Sequence, residues 1–225
     1  MEIKYLGHSA FEFLNNGIKI LVDPFLVASP NYDVQGTNHI FVTHGHGDHL
    51  GSAIEISKTT GADITAVYEL GSYCSSQGAN ANGIGLGSWL DYDFGRCIFL
   101  PAFHSSSVMD RTTFAPIYMG CPAGILFEID GKRIFHAGDT CLNSEMKVLG
   151  EVFKPDVALL PIGGTFTMDV EQAAIASDWI GADIVVPMHY NTFDAINADV
   201  NEFEAIVQSK GKLVKVLSAG ESFSI

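Results

Sequence analysis

Residues 43–49 have the sequence THGHGDH, which places three histidines and one aspartate, His44, His46, Asp48 and His49, within six consecutive positions. Imidazole nitrogens and carboxylate oxygens are ligands that zinc takes from proteins. Successive side chains of a strand point to opposite faces, so His44 and His46 would share one direction if a strand continues through them. The segment can therefore offer adjacent ligands to two metal ions, and a solvated histidine loop is the alternative.

Three more residues with metal-binding side chains follow apolar runs that are typical of strands. They are His104 in LPAFHSSS, Asp139 in IFHAGDT and His189 in VVPMHY. Each would lie at a strand end on the same edge as the first motif. A single histidine or turn aspartate is more often structural, but the whole set favours a metal centre.

With these residues the chain resembles the metallo-β-lactamase-fold hydrolases, whose HxHxDH signature matches residues 44–49. The resemblance covers nearly the whole chain, because later family motifs match the other three residues in order. It implies two metal sites that share Asp139 as a bridging ligand. The other implied ligands are His44, His46 and His104 for the first ion, and Asp48, His49 and His189 for the second.

The segments YLGHSAFEF and ILVDPF resemble a smaller branch of this family, which includes ascorbate-6-phosphate lactonase and many uncharacterised metal-dependent hydrolases. In that branch a histidine matching His8 lies near the metals, which makes His8 a catalytic candidate. An ordinary turn histidine is the alternative, so the role of His8 stays open. An aspartate matching Asp23 lies behind the ligands, and we predict that Asp23 supports one of the histidines.

The implied chemistry is metal-dependent hydrolysis. Two divalent ions lower the pKa of a shared water, supply hydroxide near neutral pH and stabilise the oxyanion formed on an ester, lactone, amide or phosphodiester. Asp48 could bind a metal and also orient the hydroxide. Imidazole-rich ligand sets favour zinc, and manganese and iron accept the same residues. The residues do not specify the physiological substrate.

The composition of the chain bears on its binding partners and its cellular location. The chain has 225 residues, with 12 Lys and Arg against 26 Asp and Glu, a net charge of −14 that disfavours extended nucleic-acid binding. No apolar run reaches the roughly 20 residues that cross a bilayer. The N-terminus shows no export signal, which predicts a cytoplasmic protein. Cys74, Cys97, Cys121 and Cys141 form no CxxC pair and are predicted to be buried, reduced thiols.

Strand and helix patterns alternate along the chain. Strands are predicted at 2–7, 10–15, 18–23, 38–44, 62–68, 96–104, 123–130, 132–139, 155–162, 183–190 and 212–218. Helices are predicted at 50–58, from 69, at 142–153, at 168–180 and from 199, where Asp199 can act as the N-cap. Residues 78–95 are predicted to form turns between strands. The pattern predicts one domain over residues 1–225, a four-layer αββα sandwich with two mixed central sheets and helices on the outer faces.

Several alternatives remain at this stage. A ribonuclease-Z-like phosphodiesterase shares the ligand types but would need a basic RNA-binding arm, and the chain has three arginines. Three other classes are disfavoured. The sequence shows no export signal as expected for a secreted β-lactamase, no helical C-terminal domain as expected for a glutathione-thioester hydrolase, and no flavin domain as expected for a di-iron redox enzyme. A non-catalytic metal-binding domain of the same fold is the alternative from another class.

Residues 105–122 follow His104 directly and are the segment most suited to contact a small-molecule substrate. The segment carries Met109, Phe114, Ile117, Tyr118 and Met119. These side chains predict a lid, a subunit contact or part of the core, so a homo-oligomer is also left open.

Overall fold

The computed structural model describes residues 1–225, which fold into two compact units. Unit 1 comprises Met1–Leu86, Ser105–Ala123 and Ser218–Ile225, and unit 2 comprises Gly87–His104 and Gly124–Leu217. Each unit contains one mixed sheet of seven strands. The expectation of a single domain over residues 1–225 stays a prediction.

The chain forms sixteen strands and six helices. The strands are β1 (Glu2–Gly7), β2 (Ala10–Asn15), β3 (Ile18–Val22), β4 (Thr37–Phe41), β5 (Asp63–Val67), β6 (Ala81–Ile84), β7 (Trp89–Tyr92), β8 (Gly95–Pro101), β9 (Ser107–Met109), β10 (Pro116–Tyr118), β11 (Ala123–Ile129), β12 (Lys132–His136), β13 (Val157–Pro161), β14 (Ile184–Met188), β15 (Leu213–Val214) and β16 (Ser222–Ser224). The helices are α1 (Gly47–Leu50), α2 (Ala53–Thr60), α3 (Tyr68–Ser76), α4 (Glu145–Val148), α5 (Val170–Ile180) and α6 (Val200–Ser209).

The sheet of unit 1 has the order β16-β1-β2-β3-β4-β5-β6. Its pairs from β16 to β3 are antiparallel, and its pairs from β3 to β6 are parallel. Phe11, Phe13 and Ile20 are fully buried in its core. Because β3 and β4 are parallel, the residues that follow them, Asp23 and the THGHGDH segment, emerge at the same edge.

The sheet of unit 2 has the order β15-β14-β13-β12-β11-β8-β7. Strands β12 to β15 run parallel, while β11 is antiparallel to β12 and β7 is antiparallel to β8. The parallel arrangement brings the carboxyl ends of β12 and β14 to one edge, which is where Asp139 and His189 follow.

The predicted strands and helices are present, with a few differences at local interruptions. The helix predicted at 50–58 is broken at Gly51, because this backbone has φ of 46° and an added Cβ would lie 2.4 Å from the carbonyl oxygen of Pro24. The helix predicted at 142–153 becomes a five-residue π-helical segment after Val148. The prediction of turns alone at residues 78–95 is wrong, because this segment contains β6 and β7, which pair with β5 and β8. The predicted N-cap at Asp199 is confirmed, because its Oδ1 accepts the backbone N–H of Asn201 at 2.9 Å.

The cysteine prediction is wrong for two of the four thiols. Cys74 and Cys97 are buried, and burial raises the pKa of Cys74 to about 11 and of Cys97 to about 12. Cys121 and Cys141 are exposed, and both lie in loop segments outside the strands and helices. All four are free thiols, as predicted.

Residues 105–122 form a small hairpin of β9 and β10 in unit 1. Met109, Phe114, Ile117 and Tyr118 are exposed, which excludes a core role for these four side chains. Met119 at the base of the hairpin is buried. No helix of the chain has the length and apolar character needed to cross a membrane.

Candidate metal centre

The THGHGDH segment forms a turn and a short helix in unit 1. Strand β4 ends at Phe41, three residues before the predicted end at His44, so strand alternation is not what brings His44 and His46 together. The turn places His44 Nε2 3.0 Å from His46 Nδ1. Helix α1 then places the ring of His49 4.1 Å from that of His44, centroid to centroid. Three imidazoles are thus concentrated at one sheet edge.

Asp23 is the buried carboxylate behind these rings. Its Oδ1 accepts the backbone N–H of Thr43 at 2.8 Å, and its Oδ2 accepts the Thr43 hydroxyl at 2.7 Å. Oδ2 also lies 2.7 Å from His49 Nδ1. The Thr43 hydroxyl lies 3.0 Å from His44 Nδ1, so Asp23 orients one histidine directly and the other through Thr43. Held at Nδ1, the His49 ring has its Nε2 as the nitrogen suited to a metal.

We therefore expect Asp23→Asn to weaken metal binding without unfolding unit 1. The amide keeps the size of the side chain but removes the negative charge that favours the Nδ1–H tautomer of His49. Loss of such an outer partner costs about 10–100-fold in metal affinity. Competition with a chromogenic chelator measures this change. Unchanged affinity in a folded variant would show that Asp23 only supports the turn.

His8 reaches the same cluster from the turn between β1 and β2. Its φ of 56° lies in the left-handed region, and the Tyr5 hydroxyl donates to its carbonyl oxygen at 3.0 Å, which holds this turn. His8 Nε2 lies 3.2 Å from Asp48 Oδ2, with 1% of the His8 side chain and 31% of the Asp48 side chain exposed. We call His8, Asp23, His44, His46, Asp48 and His49 the unit 1 cluster.

The unit 2 cluster consists of His104, Asp139 and His189. Asp139 is 3% exposed, and its Oδ2 lies 3.5 Å from His104 Nε2 and 3.2 Å from His189 Nε2. One carboxylate oxygen therefore approaches both imidazoles. The structure thus brings together the three residues of this unit that the sequence predicts as ligands.

The loops that carry His104 and Asp139 are joined by backbone bonds. The Phe103 N–H donates to the Thr140 hydroxyl at 3.1 Å, and the Cys141 N–H donates to the Phe103 carbonyl at 3.2 Å. Since Phe103 precedes His104 and Thr140 follows Asp139, these bonds fix the spacing of two candidate ligands.

Three supporting residues were not found from the sequence. His136, fully buried, accepts the Gly138 N–H at Nδ1, 3.1 Å, and so shapes the turn before Asp139. The Ser106 hydroxyl accepts the Gly45 N–H at 3.1 Å, between His44 and His46. At Gly163 an added Cβ would lie 2.3 Å from the carbonyl oxygen of His189, so only glycine fits. A histidine inside the apolar run KRIFHAGD was the one signal available, and it indicates His136.

The ligand chemistry of both clusters fits divalent metal ions. Imidazole nitrogens dominate, the unit 1 cluster adds two carboxylates and the unit 2 cluster adds one, and most of these side chains are buried. Buried histidine and aspartate side chains at this density are costly unless they are paired or bind a metal.

Comparison with known proteins agrees with this chemistry. Residues 2–189 match the model of the beta-lactamase superfamily domain. The chain is 44% identical to a UPF0173 metal-dependent hydrolase of Bacillus cereus (strain G9842) over 230 residues, covering 100% of both chains. Igni18, a metallo hydrolase from the archaeon Ignicoccus hospitalis, is 37% identical, with a TM-score of 0.87 over 100% of this chain and 98% of that one.

A diiron β-hydroxylase from Streptomyces venezuelae shares the fold alone, at 15% identity and a TM-score of 0.77, with 100% of this chain and 54% of that chain covered. The two mixed sheets and the histidine and aspartate clusters are those of a metallo-β-lactamase-fold protein, and the predicted fold class is confirmed. Within that class, the chain belongs to the UPF0173 metal-dependent hydrolase family.

Proposed function

We propose that this protein hydrolyses an ester or lactone bond of a small soluble substrate, with two divalent metal ions as cofactors. The observation that carries the proposal is the position of Asp139 Oδ2, within 3.5 Å of both His104 and His189. A carboxylate that faces ligands of two different ions can neutralise part of their mutual repulsion. Zinc is the ion that this imidazole-rich set favours.

The proposal assigns ligands from both clusters to each ion. The ligands that the family resemblance implies are His44, His46 and His104 for one ion and Asp48, His49 and His189 for the other, with Asp139 shared between the two ions. His8, whose Nε2 lies 3.2 Å from Asp48 Oδ2, is a further candidate ligand of the second ion. The alternative role of His8 is contact with the substrate.

The bound ions would lower the pKa of a water and stabilise negative charge on the carbonyl oxygen. The side chains around the ions position the ligands and the water. Asp23 holds His49 and, through Thr43, His44. Asp48, with 31% of its side chain exposed, can accept a hydrogen bond from the attacking water. His8 can hold a proton at Nε2 and deliver it to the leaving oxygen, which completes addition of water across the bond.

Charge placement argues against the phosphodiesterase alternative. Arg96 Nη2 lies 2.7 Å and Arg133 Nε 2.8 Å from the same carboxylate, Glu128. The remaining arginine, Arg111, lies in the β9–β10 hairpin. With a net charge of −14, the chain has no evident arm for an RNA backbone, which favours a small neutral substrate. A cytoplasmic location and a homo-oligomer stay predictions.

The test combines metal analysis with hydrolysis. We expect about two ions per chain after reconstitution with zinc or manganese, and turnover of p-nitrophenyl acetate that a chelator removes and added metal restores. A variant with His44→Ala and His189→Ala should lose both properties. His39→Ala is the control, since His39 lies on β4 outside the cluster.

Each outcome of this test has a defined meaning. Wild-type protein that binds no more metal than the double variant would refute the ligand assignment. Full metal occupancy with no turnover of esters or lactones would identify a non-catalytic metal-binding domain. Turnover of bis-p-nitrophenyl phosphate in preference to the esters would favour the phosphodiesterase.

A further inference from the structure

We propose that a groove in unit 1, beside the candidate metal ligands, binds the apolar acyl chain of the substrate. The inference rests on the proposed function and gives the class of the substrate: a neutral ester or lactone with a hydrocarbon acyl group. We call this feature the acyl groove. Its lining residues are Phe25, Leu26, Val27, Pro30, Tyr32, Val34, Gly47, Gly51, Ser52 and Ile56.

The acyl groove has the size and composition of a small-molecule site. Its volume is about 540 Å³, within the 300–1,000 Å³ range typical of ligand pockets. Aliphatic and aromatic side chains dominate its walls, and no charged residue lines it. The chain carries a net charge of −14, yet no charged residue lines this groove. The groove therefore suits a neutral, apolar group.

Tyr32 contributes its ring and not its hydroxyl. The hydroxyl donates to the carboxylate of Glu12, a buried side chain that also forms an ion pair with Lys4 at 3.7 Å. Burial, together with this carboxylate, raises the pKa of Tyr32, so the phenol stays neutral. The polar end of Tyr32 is therefore engaged within unit 1, and its ring is left to line the acyl groove.

Two residues that line the acyl groove adjoin the unit 1 cluster. Gly47, which lines the groove, lies between His46 and Asp48, and an added Cβ at Gly47 would have no atom within 4 Å. The Phe25 ring packs edge-on against the His8 ring, with centroids 5.5 Å apart. A chain lying in the groove would therefore lead to the Asp48 and His8 pair.

The loop that forms the outer wall, residues 24–36, is held in place. The Ser52 N–H donates to the Pro24 carbonyl at 3.0 Å, and Lys19 Nζ donates to the carbonyl oxygens of Asp33 at 3.0 Å and Gln35 at 2.7 Å. Val27 nevertheless leaves 62% of its surface exposed on this fixed loop. A preformed apolar wall fits a ligand that binds without reordering the chain.

Hydrolysis adds one water molecule across the ester or lactone bond. The oxygen of water forms a bond to the acyl carbon, the bond from that carbon to the ester oxygen breaks, and a proton passes to the departing alkoxide. The second proton of the water is released to solvent, so the product is a carboxylate that keeps its hydrocarbon chain in the acyl groove. The alcohol leaves when the substrate is an ester and stays part of the product when it is a lactone.

The experiment is a chain-length series of p-nitrophenyl esters, from acetate through butyrate and hexanoate to octanoate. Full burial of one methylene group corresponds to about a fourfold gain in kcat/KM, and burial of half of its surface to about a twofold gain. We therefore expect kcat/KM to rise about twofold to fourfold per methylene. Val27→Asp should abolish this rise. Val152→Asp is the matched control, since Val152 is also 62% exposed, and it should keep the wild-type slope.

Direct binding separates this inference from the proposed function. Octanoate, but not acetate, should shift the amide resonances of residues 25–34, and Val27→Asp should remove that shift. If no ester is hydrolysed, the proposed function fails, and octanoate binding alone decides whether the acyl groove exists. A flat chain-length series with no octanoate shift would overturn the inference. A change of oligomeric mass in Val27→Asp, without octanoate binding, would overturn it in favour of a subunit contact.

Discussion

Asp139→Asn is expected to remove metal binding and hydrolysis together. The asparagine amide carries no charge and cannot balance two cations, although it fits the space of a side chain that is 3% exposed. Loss of a residue that only hydrogen-bonds a metal ligand costs about 10–100-fold in metal affinity. Loss of a ligand shared by two ions should therefore cost at least about 100-fold. Metal stoichiometry after dialysis and turnover of p-nitrophenyl acetate measure the two effects.

Asp156→Asn is the matched control in the same unit. Asp156 accepts the Arg133 N–H at 2.8 Å and lies beside Lys132, so it is a turn aspartate with a structural role. Its loss should lower the free energy of unfolding by roughly 0.5–2 kcal/mol, as for a lost cap, and leave the metals in place. A folded Asp139→Asn variant with normal metal occupancy would refute the shared-ligand role of Asp139.

The residues predict eleven of the sixteen strands and the composition of the clusters, whereas β6, β7, β9, β10 and β16 have only three or four residues each and give no strand pattern. Short apolar runs such as AFEFLN and PDVALLPI predict strands because their residues are β-branched or aromatic, and the ligands follow directly after such runs. The ligand types could also be read from the residues, because few other arrangements concentrate histidine and aspartate at strand ends. The pairing of ligands with ions came from the family resemblance.

The geometry that supports the ligands depends on contacts between residues distant in sequence, which periodicity does not encode. Gly163 is required because the backbone of His189 passes within 2.3 Å of where its Cβ would be. Ser106 reaches Gly45 across 61 positions of the chain. The break of the helix at Gly51 likewise follows from the carbonyl oxygen of Pro24, and nothing in residues 50–58 themselves predicts it.

His8 illustrates a different limit. Its position near the ligands came from the family branch, and its backbone φ of 56° shows why the local pattern could not place it. A left-handed residue in the β1–β2 turn points its side chain in a direction that strand alternation does not give. Its 3.2 Å contact with Asp48 leaves three roles to separate: metal ligand, support for Asp48, or proton donor to the leaving group.

His8→Ala is expected to keep both metals and to cut turnover according to the leaving group. General acid catalysis contributes typically 10²–10⁴-fold, and the contribution disappears when the leaving group needs no proton. Alkyl esters and lactones should therefore lose about 10²–10⁴-fold in kcat. The p-nitrophenyl ester, whose phenolate leaves unprotonated, should lose much less. Steady-state kinetics across a series of leaving groups, with metal content measured on the same samples, gives the result.

His8→Gln separates the acid from a support role, because glutamine can still donate a hydrogen bond to Asp48 Oδ2 but cannot deliver a proton. If His8 acts as the acid, the glutamine variant should show the same dependence on leaving group as the alanine variant. Recovery of turnover for alkyl esters in His8→Gln would instead make His8 a positioning residue for Asp48. Loss of one metal ion in both variants would place His8 among the ligands, since its ring already lies 5.7 Å from that of His49. Equal losses for all leaving groups, with metal retained, would exclude proton delivery as its function.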